Sequence, residues 1–248
     1  MLIKNSYYYF QNALTPEQCQ KIIDLGIEGL QPATTMGFNH KQGDDLDEKA
    51  KPMADVTYEQ LRDEQGISTK DVQKGTFIRD SEASWMNPQW LYDLVWPYLQ
   101  KANKLAGWEY QFDSAESFQF TKYGLNQFYG WHSDGSGCHK SAYKRYYPGV
   151  NGQGLTPIKG HTPEAHNVGL VRKLSVTINL NEPGDYEGGL LNFDYGPHTA
   201  GERYKECTEI KPQGSIIVFP SFQYHQVTPV TKGTRYSLVL WVTGRPFR

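Results

Sequence analysis

His132 and Asp134 stand two residues apart in FYGWHSD, a run that reads as a β-strand. Side chains on a strand repeat every second residue, so the imidazole and the carboxylate project from one face. A second imidazole, His225, sits in FPSFQYHQVTP near the end of a series of short strands. Two neutral imidazoles and one carboxylate can hold a metal ion from one side and leave three coordination positions open, a donor set that suits non-haem Fe(II) working on O2. Taken alone, an H-x-D pair is a weak signal and reads more readily as two surface polar residues at a strand end. Ten residues beyond His225 comes Arg235, in GTRYSLVLW. That run alternates, so Arg235, Ser237 and Val239 share one face and Tyr236, Leu238 and Leu240 the other. An arginine among apolar side chains needs an anion, because burying it unpaired is costly. The anion is either a local Asp or Glu or a dicarboxylate co-substrate held bidentately, with the Ser237 hydroxyl as a further donor; the second explains the position better.

Strands must carry these groups, and helices must back the strands. From Asp113 onward short alternating runs predict strands over 115–123, 127–134, 173–181, 189–194, 203–210, 215–219, 223–229 and 234–242. Pro183-Gly184, Gly188-Gly189 and Gln213-Gly214 mark turns between them. Upstream, Thr15 is a good N-cap, Pro16 suits the first helical position and Gln18 completes a capping box. Cys19, Ile22, Ile23 and Ile27 then fall on one helical stripe. Asn87-Pro88 opens a second helix with Leu91, Val95, Tyr98, Leu99, Ala102 and Leu105 at helical spacing, which Pro97 should kink or split and Gly107 should end. The polar stretch from about 34 to 75 reads as a solvated loop, and the Gly-, Lys- and Tyr-rich stretch 135–171 as an insertion at the mouth of the β core and a candidate lid. Helices followed by many strands predict a mainly β fold, a barrel or sandwich buttressed by N-terminal helices. The expected organisation is one domain over 1–248, with 1–112 a helical and loop support region and 113–248 the β core.

Composition narrows the function classes. The 248 residues carry 25 Lys+Arg against 27 Asp+Glu, a net charge of −2, and the pI is about 6.4. With no basic surplus to neutralise phosphates, a nucleic-acid partner is not expected. No run approaches the ~20 apolar residues that span a bilayer, and MLIKNSYYYF lacks an apolar signal core, so the expectation is a soluble, cytoplasmic chain. Cys19, Cys138 and Cys207 are scattered and odd in number, which fits a reducing compartment better than a disulfide framework. The aromatic content is high, with 17 Tyr, 11 Phe and 6 Trp. Tyr123, Tyr129, Trp131, Tyr195, Phe219 and Trp241 are candidates for the dry walls of a reactive site.

The segments FQFTKYGLNQFYGWHSD, RKLSVTINLNEPGDYEGGLLNF and GSIIVFPSFQYHQVTPVTKGTRYSLVLW, in that order and spacing, resemble the iron(II)- and 2-oxoglutarate-dependent oxygenases, specifically the prolyl 4-hydroxylase-like group that includes PKHD-type hydroxylases. The resemblance runs from Ser117 to Trp241 and reaches upstream to IRDSEASW. It implies a double-stranded β-helix (jelly-roll, cupin-like) barrel, and Fe(II), 2-oxoglutarate and O2 as cofactor and co-substrates, with ascorbate as an accessory. It further implies hydroxylation of a C–H bond, with 2-oxoglutarate going to succinate and CO2. By the same resemblance, His132, Asp134 and His225 match the iron ligands, and Arg235 the basic residue for the distal carboxylate of 2-oxoglutarate. Tyr123 matches a tyrosine bonded to 2-oxoglutarate, and Trp241 a tryptophan lining the site. Arg79 and Ser81 match an R-x-S element that helps bind peptide, and Glu116 and Tyr129 match residues near substrate. Two positions depart from branches of the family: Arg235 stands where collagen-type enzymes usually carry Lys, and Asn179 where oxygen-sensing enzymes use a tyrosine for the 2-oxoglutarate carboxylate. Asp134 separates the chain from related halogenases, which lack the carboxylate.

Other polar residues have plainer readings. His40, His139, His161, His166 and His198 fall in predicted loops and read as surface residues, although His139 follows the H-x-D motif closely. Lys140, Lys144 and Arg145 read as a solvated charged loop. Gly188-Gly189 resembles a family turn at which backbone approaches the site. The leading functional expectation is hydroxylation of prolyl residues in a protein or peptide. The alternatives are the same chemistry on a free amino acid or other small molecule, and, from another class, a cupin-like module with a structural metal. Arg235 speaks against the last, since a structural site has no use for a carboxylate anchor. Oligomeric state is left open.

Overall fold

The computed structural model describes residues 5–33, 79–135, 169–196 and 203–247. The predicted loop over 34–75, most of the 135–171 insertion, Cys138, the five loop histidines, Lys140, Lys144 and Arg145 lie outside the described residues.

In chain order the strands are β1 (Tyr8–Phe10), β2 (Gln31–Pro32), β3 (Arg79–Asp80), β4 (Glu82–Met86), β5 (Ser114–Ala115), β6 (Phe118–Tyr123), β7 (Phe128–His132), β8 (Val171–Asn179), β9 (Tyr186–Gly188), β10 (Leu191–Asp194), β11 (Tyr204–Glu206), β12 (Ile216–Pro220), β13 (His225–Val227), β14 (Val230–Gly233) and β15 (Arg235–Gly244). Helix α1 covers Pro16–Ile27 and α2 Gln89–Leu105. An eight-stranded sheet runs β1-β12-β8-β15-β6-β4-β2, with β5 on β15; a five-stranded sheet runs β11-β10-β13-β7-β3; β9 and β14 pair separately. Every pairing is antiparallel. Among the described residues no helix is long and apolar enough to cross a membrane.

Alternation in the large sheet sorts side chains by environment. Phe118 and Phe120 of β6, Leu174, Val176 and Ile178 of β8, and Leu238, Leu240 and Val242 of β15 are buried in one apolar cluster with Ile22 of α1 and Leu91, Val95 and Leu99 of α2. Each of these large apolar side chains contributes roughly 1.5–3 kcal/mol on burial. The opposite face carries Gln119, Thr121 and Tyr123, then Ser175, Thr177 and Asn179, then Arg235, Ser237 and Trp241, all buried as well. This second face looks toward the five-stranded sheet: Ile217 and Phe219 of β12 pack with Leu191 and Phe193 of β10, and Tyr123 packs with Val227. The apolar side of the large sheet therefore builds stability against the helices, and its polar side lines an interior between the sheets.

Helix α1 begins at the expected capping box, with Thr15 and Gln18 bonded reciprocally. It docks at Gly26, where a Cβ would come within 2.2 Å of the Phe120 ring, and the Ser84 hydroxyl donates to the Gly26 carbonyl at 2.6 Å. Three helix expectations need correction. Ile27 and Leu105 are 46% and 51% exposed, because each is the last residue of its helix and extends past the sheet. Pro97 does not split α2; it lies on the solvent side with Asp93, whose carbonyl loses its helical partner there and is left to water. The strand expectations need adjusting as well: 115–123 divides into β5 and β6, and β2, β9 and β14 fall outside every predicted run. The run 127–134 ends at His132, 203–210 divides into β11 and a 3-10 turn over Thr208–Ile210, and the short β1 and β3–β4 were not expected. Short strands with little alternation, such as YYF, leave too weak a pattern to read.

Candidate metal centre and co-substrate pocket

The three proposed donors come from two adjacent strands of the smaller sheet. His225 opens β13 and sits directly across the ladder from His132, the last residue of β7. Asp134 lies in the bend that follows. Potential ligand atoms of the three lie within 4.8 Å of one another. His132 Nε2 is 3.7 Å from Asp134 Oδ1, and His225 Nε2 is 3.7 Å from Oδ2.

Both imidazoles are oriented through their other nitrogen. His132 Nδ1 is 2.8 Å from the Gly130 carbonyl and His225 Nδ1 is 2.9 Å from the Gln223 carbonyl. A carbonyl only accepts, so each Nδ1 carries the proton and each Nε2 presents its lone pair to the space beside Asp134. Burial, reinforced by the neighbouring His225, holds the His132 pKa down at about 3, so the ring is neutral as a ligand must be. Burial would push the Asp134 carboxyl up, but His225, His132, Arg172 and the Ser175 hydroxyl together outweigh it and hold the pKa below the ordinary value. Aromatic rings wall the pair: Tyr129 stacks on His132 at 3.5 Å between centroids, and Phe219 meets His225 edge-on at 4.7 Å. Burial pushes the Tyr129 phenol up to about 12, so it too is neutral.

Arg235 opens β15 opposite Tyr123 of β6 and is 1% exposed. Its Nη1 donates to the Ser237 hydroxyl at 3.3 Å, while Nε has no hydrogen-bond partner. Among the described residues no carboxylate lies within salt-bridge distance of it. Gly189 gives it room: at φ +56° its backbone passes so close that a Cβ would sit 2.9 Å from Arg235 Cδ. Asn179 lies across from Ser237 on β8, but its amide donates to the carbonyls of Lys211 and Asn181. Its donors are committed to main chain.

Around this core, Arg79 is buried and donates to Ser81 at 2.7 Å and to Gln119 at 3.0 Å, with its guanidinium over the Tyr129 ring. Glu116 accepts both ends of the Arg172 guanidinium, at 2.6 and 2.7 Å. The same guanidinium lies 3.9 Å over Trp241, and its Nη1 is 3.4 Å from the Asp134 carbonyl. Trp241 Nε1 is buried without an acceptor. Trp131, expected among the inner walls, instead stacks on Tyr204, which is 57% exposed, and Tyr195 is 37% exposed. As the immediate neighbour of His132 on β7, Trp131 turns to the other side of the strand.

Arg172 was not singled out in the sequence because a β-bulge breaks the alternation around it, and a second bulge moves Tyr129. Between Val242 and Thr243 of β15 the partner on β8 steps from Leu174 to Arg172, so Lys173 is an extra residue and Arg172 turns to the Trp241 side. In β7, Tyr129 and His132 oppose Val227 and His225, three steps against two, which brings Tyr129 onto the same side as His132. Ser175, bonded to Asp134, was legible in principle as one of the small polar residues alternating along a buried strand.

The donor set fits a divalent iron: two neutral imidazoles and one carboxylate converge with aromatic cover. Arg235 suits a dicarboxylate, since its buried guanidinium has no ionic partner among the described residues and lies on the sheet face that looks toward the smaller sheet. Comparison with known proteins agrees. Residues 118–243, about half of the chain, match the 2OG-Fe(II) oxygenase superfamily. A PKHD-type hydroxylase of Xylella fastidiosa is 34% identical over 127 residues, 50% of this chain and 43% of that relative, so the match spans less than half of the relative's length. A second, from Picosynechococcus sp., is 38% identical over 104 residues, 42% of each chain. The fold is similar to a viral collagen prolyl hydroxylase of Paramecium Bursaria Chlorella virus-1 solved with 2OG (TM-score 0.53, 15% identity, 97% of both chains). It is also similar to a Pseudomonas putida prolyl-4-hydroxylase (TM-score 0.51, 15% identity, 98% and 94%). A sequence match over the site-bearing half and a common fold over nearly the whole chain converge with the donor chemistry: this chain belongs to the 2OG-Fe(II) oxygenase superfamily, and with it to a cofactor set of Fe(II), 2-oxoglutarate and O2.

Proposed function

We propose that this chain is an Fe(II)- and 2-oxoglutarate-dependent dioxygenase that hydroxylates prolyl residues in a protein or peptide and converts 2-oxoglutarate to succinate. One observation carries the reading: Arg235 is buried over the Tyr123 ring, whose side chain packs with Val227 of the strand that His225 opens, with an unsatisfied Nε and, among the described residues, no carboxylate within salt-bridge distance. A structural metal site would have no need of it. In this reading the facing sheets are the two walls of a double-stranded β-helix within one domain.

His132 and His225 hold the metal through Nε2 and Asp134 through its carboxylate. Bound iron, with 2-oxoglutarate and O2, supplies the oxidising power for placing one oxygen atom in a C–H bond. Arg235, helped by Ser237 and the Tyr123 hydroxyl, grips the distal carboxylate of 2-oxoglutarate and so fixes its keto acid end toward the cluster. Tyr129 and Phe219 keep water from the imidazoles. Arg79 with Ser81, Glu116 with Arg172, and Trp241 surround the substrate. Trp241 Nε1 and Arg235 Nε are buried donors without acceptors; a peptide carbonyl suits the first as a carboxylate suits the second.

The peptidyl reading is further supported by the neighbours: one solved relative in fold is a prolyl hydroxylase from Trichoplax adhaerens in complex with a hypoxia inducible factor peptide fragment (TM-score 0.52, 13% identity, 96% and 84% of the chains). The test is incubation with Fe(II), 2-oxoglutarate and ascorbate in the presence of proline-containing peptides. Succinate is expected together with a peptide mass gain of one oxygen atom. Succinate with free proline and none with any peptide would move the substrate to a free amino acid, and no succinate under any condition would defeat the oxygenase reading.

A further inference from the structure

Asp134 is fastened from several sides by groups that are not themselves metal donors. Ser175 Oγ lies 2.6 Å from Asp134 Oδ2, and Ser221 Oγ lies 3.0 Å from Ser175 Oγ. The two serines are 1% and 0% exposed. A carboxylate only accepts, so the single proton of Ser175 goes to Asp134 and Ser221 donates to Ser175. The main chain of Ser221 holds the same bend: its carbonyl accepts from Gly135 N–H at 2.9 Å, and its own N–H donates to the Lys173 carbonyl at 3.0 Å. Arg172 Nη1 approaches the Asp134 carbonyl at 3.4 Å. Oδ1 and Oδ2 lie equally far, 3.7 Å, from His132 Nε2 and His225 Nε2 respectively, so the hydrogen bond alone distinguishes them: among the described residues none reaches Oδ1.

We propose that Ser175 and Ser221 form a hydroxyl relay that divides the Asp134 carboxylate, keeping Oδ2 as a hydrogen-bond acceptor and presenting Oδ1 alone to the metal. The inference rests on the metal-centre reading above and concerns how that centre keeps its open positions. A carboxylate free to chelate through both oxygens would occupy two coordination positions, leaving two where three are required for a bidentate keto acid and O2. Committing one oxygen to a short hydrogen bond within the fold prevents this. Ser175 is thus a positioning residue acting through Asp134, and Ser221 acts through Ser175. The pair comes from β8 and from the turn after β12, so the relay also ties the large sheet to the ligand-bearing bend of the smaller one.

The test uses the full chain loaded with Co(II), whose visible absorption reports ligand number without any turnover. For Ser175→Ala the Co(II) spectrum is expected to change and the affinity to fall by roughly 10–100-fold, the usual effect of losing a partner that orients a ligand. Ser175→Thr keeps the hydroxyl and is expected to restore both. Ser221→Ala is expected to give a smaller change in the same direction, since Ser175 still has its proton to give. Wild-type spectrum and affinity in Ser175→Ala would overturn the relay, as would a Ser175→Thr chain indistinguishable from Ser175→Ala. Failure of the unaltered chain to bind Co(II), or unchanged binding in His132→Ala, would contradict the metal centre itself and take the relay with it.

Discussion

Arg235 Nε has no hydrogen-bond partner although the residue is 1% exposed. In the ligand-free protein such a group costs free energy, about 1–3 kcal/mol for an unsatisfied buried donor and more for a charge. Among the described residues no anion offsets that cost, and a bound dicarboxylate would. Arg235→Met, which keeps much of the volume and removes the charge, is therefore expected to raise the ligand-free Tm by about 2–4 °C for each kcal/mol recovered. The same change is expected to abolish stabilisation by 2-oxoglutarate; thermal unfolding with and without the co-substrate reads both. A lower ligand-free Tm would mean that the guanidinium is holding the fold. At this scale much of the site was legible in advance. H-x-D at the end of a strand and an arginine on an alternating run are patterns of residue type and spacing. The hydrogen-bond partners of Glu116 and Asn179 were not: Glu116 is held by Arg172, and Asn179 bonds to main chain.

At the scale of elements, the site depends on departures from regular structure. The extra residue Lys173 in β8 turns Arg172 toward Trp241 and Glu116, and the bulge in β7 brings Tyr129 over His132. A period-2 reading cannot anticipate a bulge, since the inserted residue reverses every assignment beyond it. The Gly188-Gly189 turn is a third such device, with both residues at positive φ. Gly189→Ala forces a methyl group toward Arg235 Cδ and Val230 in a conformation that L residues disfavour. It is expected to cost about 1–3 kcal/mol in stability and to weaken 2-oxoglutarate binding by displacing the guanidinium. Chemical denaturation and co-substrate titration check the two effects separately, and unchanged co-substrate affinity would show that Arg235 does not depend on this close approach.

For the whole molecule, the polar interior between two sheets is the consequence that matters most. One side of the large sheet is closed by an apolar cluster with both helices, and its other side carries Ser, Thr, Asn, Gln and Arg where a stability-driven core would be apolar. A fold that encloses such an interior gains stability when it is filled. Mn(II), which shares the coordination preferences of Fe(II) without its oxidation chemistry, and 2-oxoglutarate, each at about 100 times its Kd, are expected to add roughly 2.7 kcal/mol per ligand. The resulting rise in Tm should vanish for metal in His132→Ala. Stabilisation by 2-oxoglutarate that is indifferent to metal would contradict a shared centre. The helix-backed β architecture could be read from capping signals and alternating runs; the facing of the two sheets could not, because it depends on contacts such as Phe219 with Phe193 that are remote in sequence.

The central claim, that Arg235 and the His132–Asp134–His225 cluster form one Fe(II)/2-oxoglutarate centre, is tested most directly by anaerobic titration of 2-oxoglutarate into the Fe(II)-loaded chain. Saturable binding is expected for the unaltered protein, with a charge-transfer absorption that requires iron and co-substrate together. Arg235→Ala is expected to weaken that binding by at least about 2 kcal/mol, on the order of 30-fold in Kd, as for a lost charge-assisted pair. Absence of binding in the unaltered protein, or equal affinity in Arg235→Ala, would contradict it.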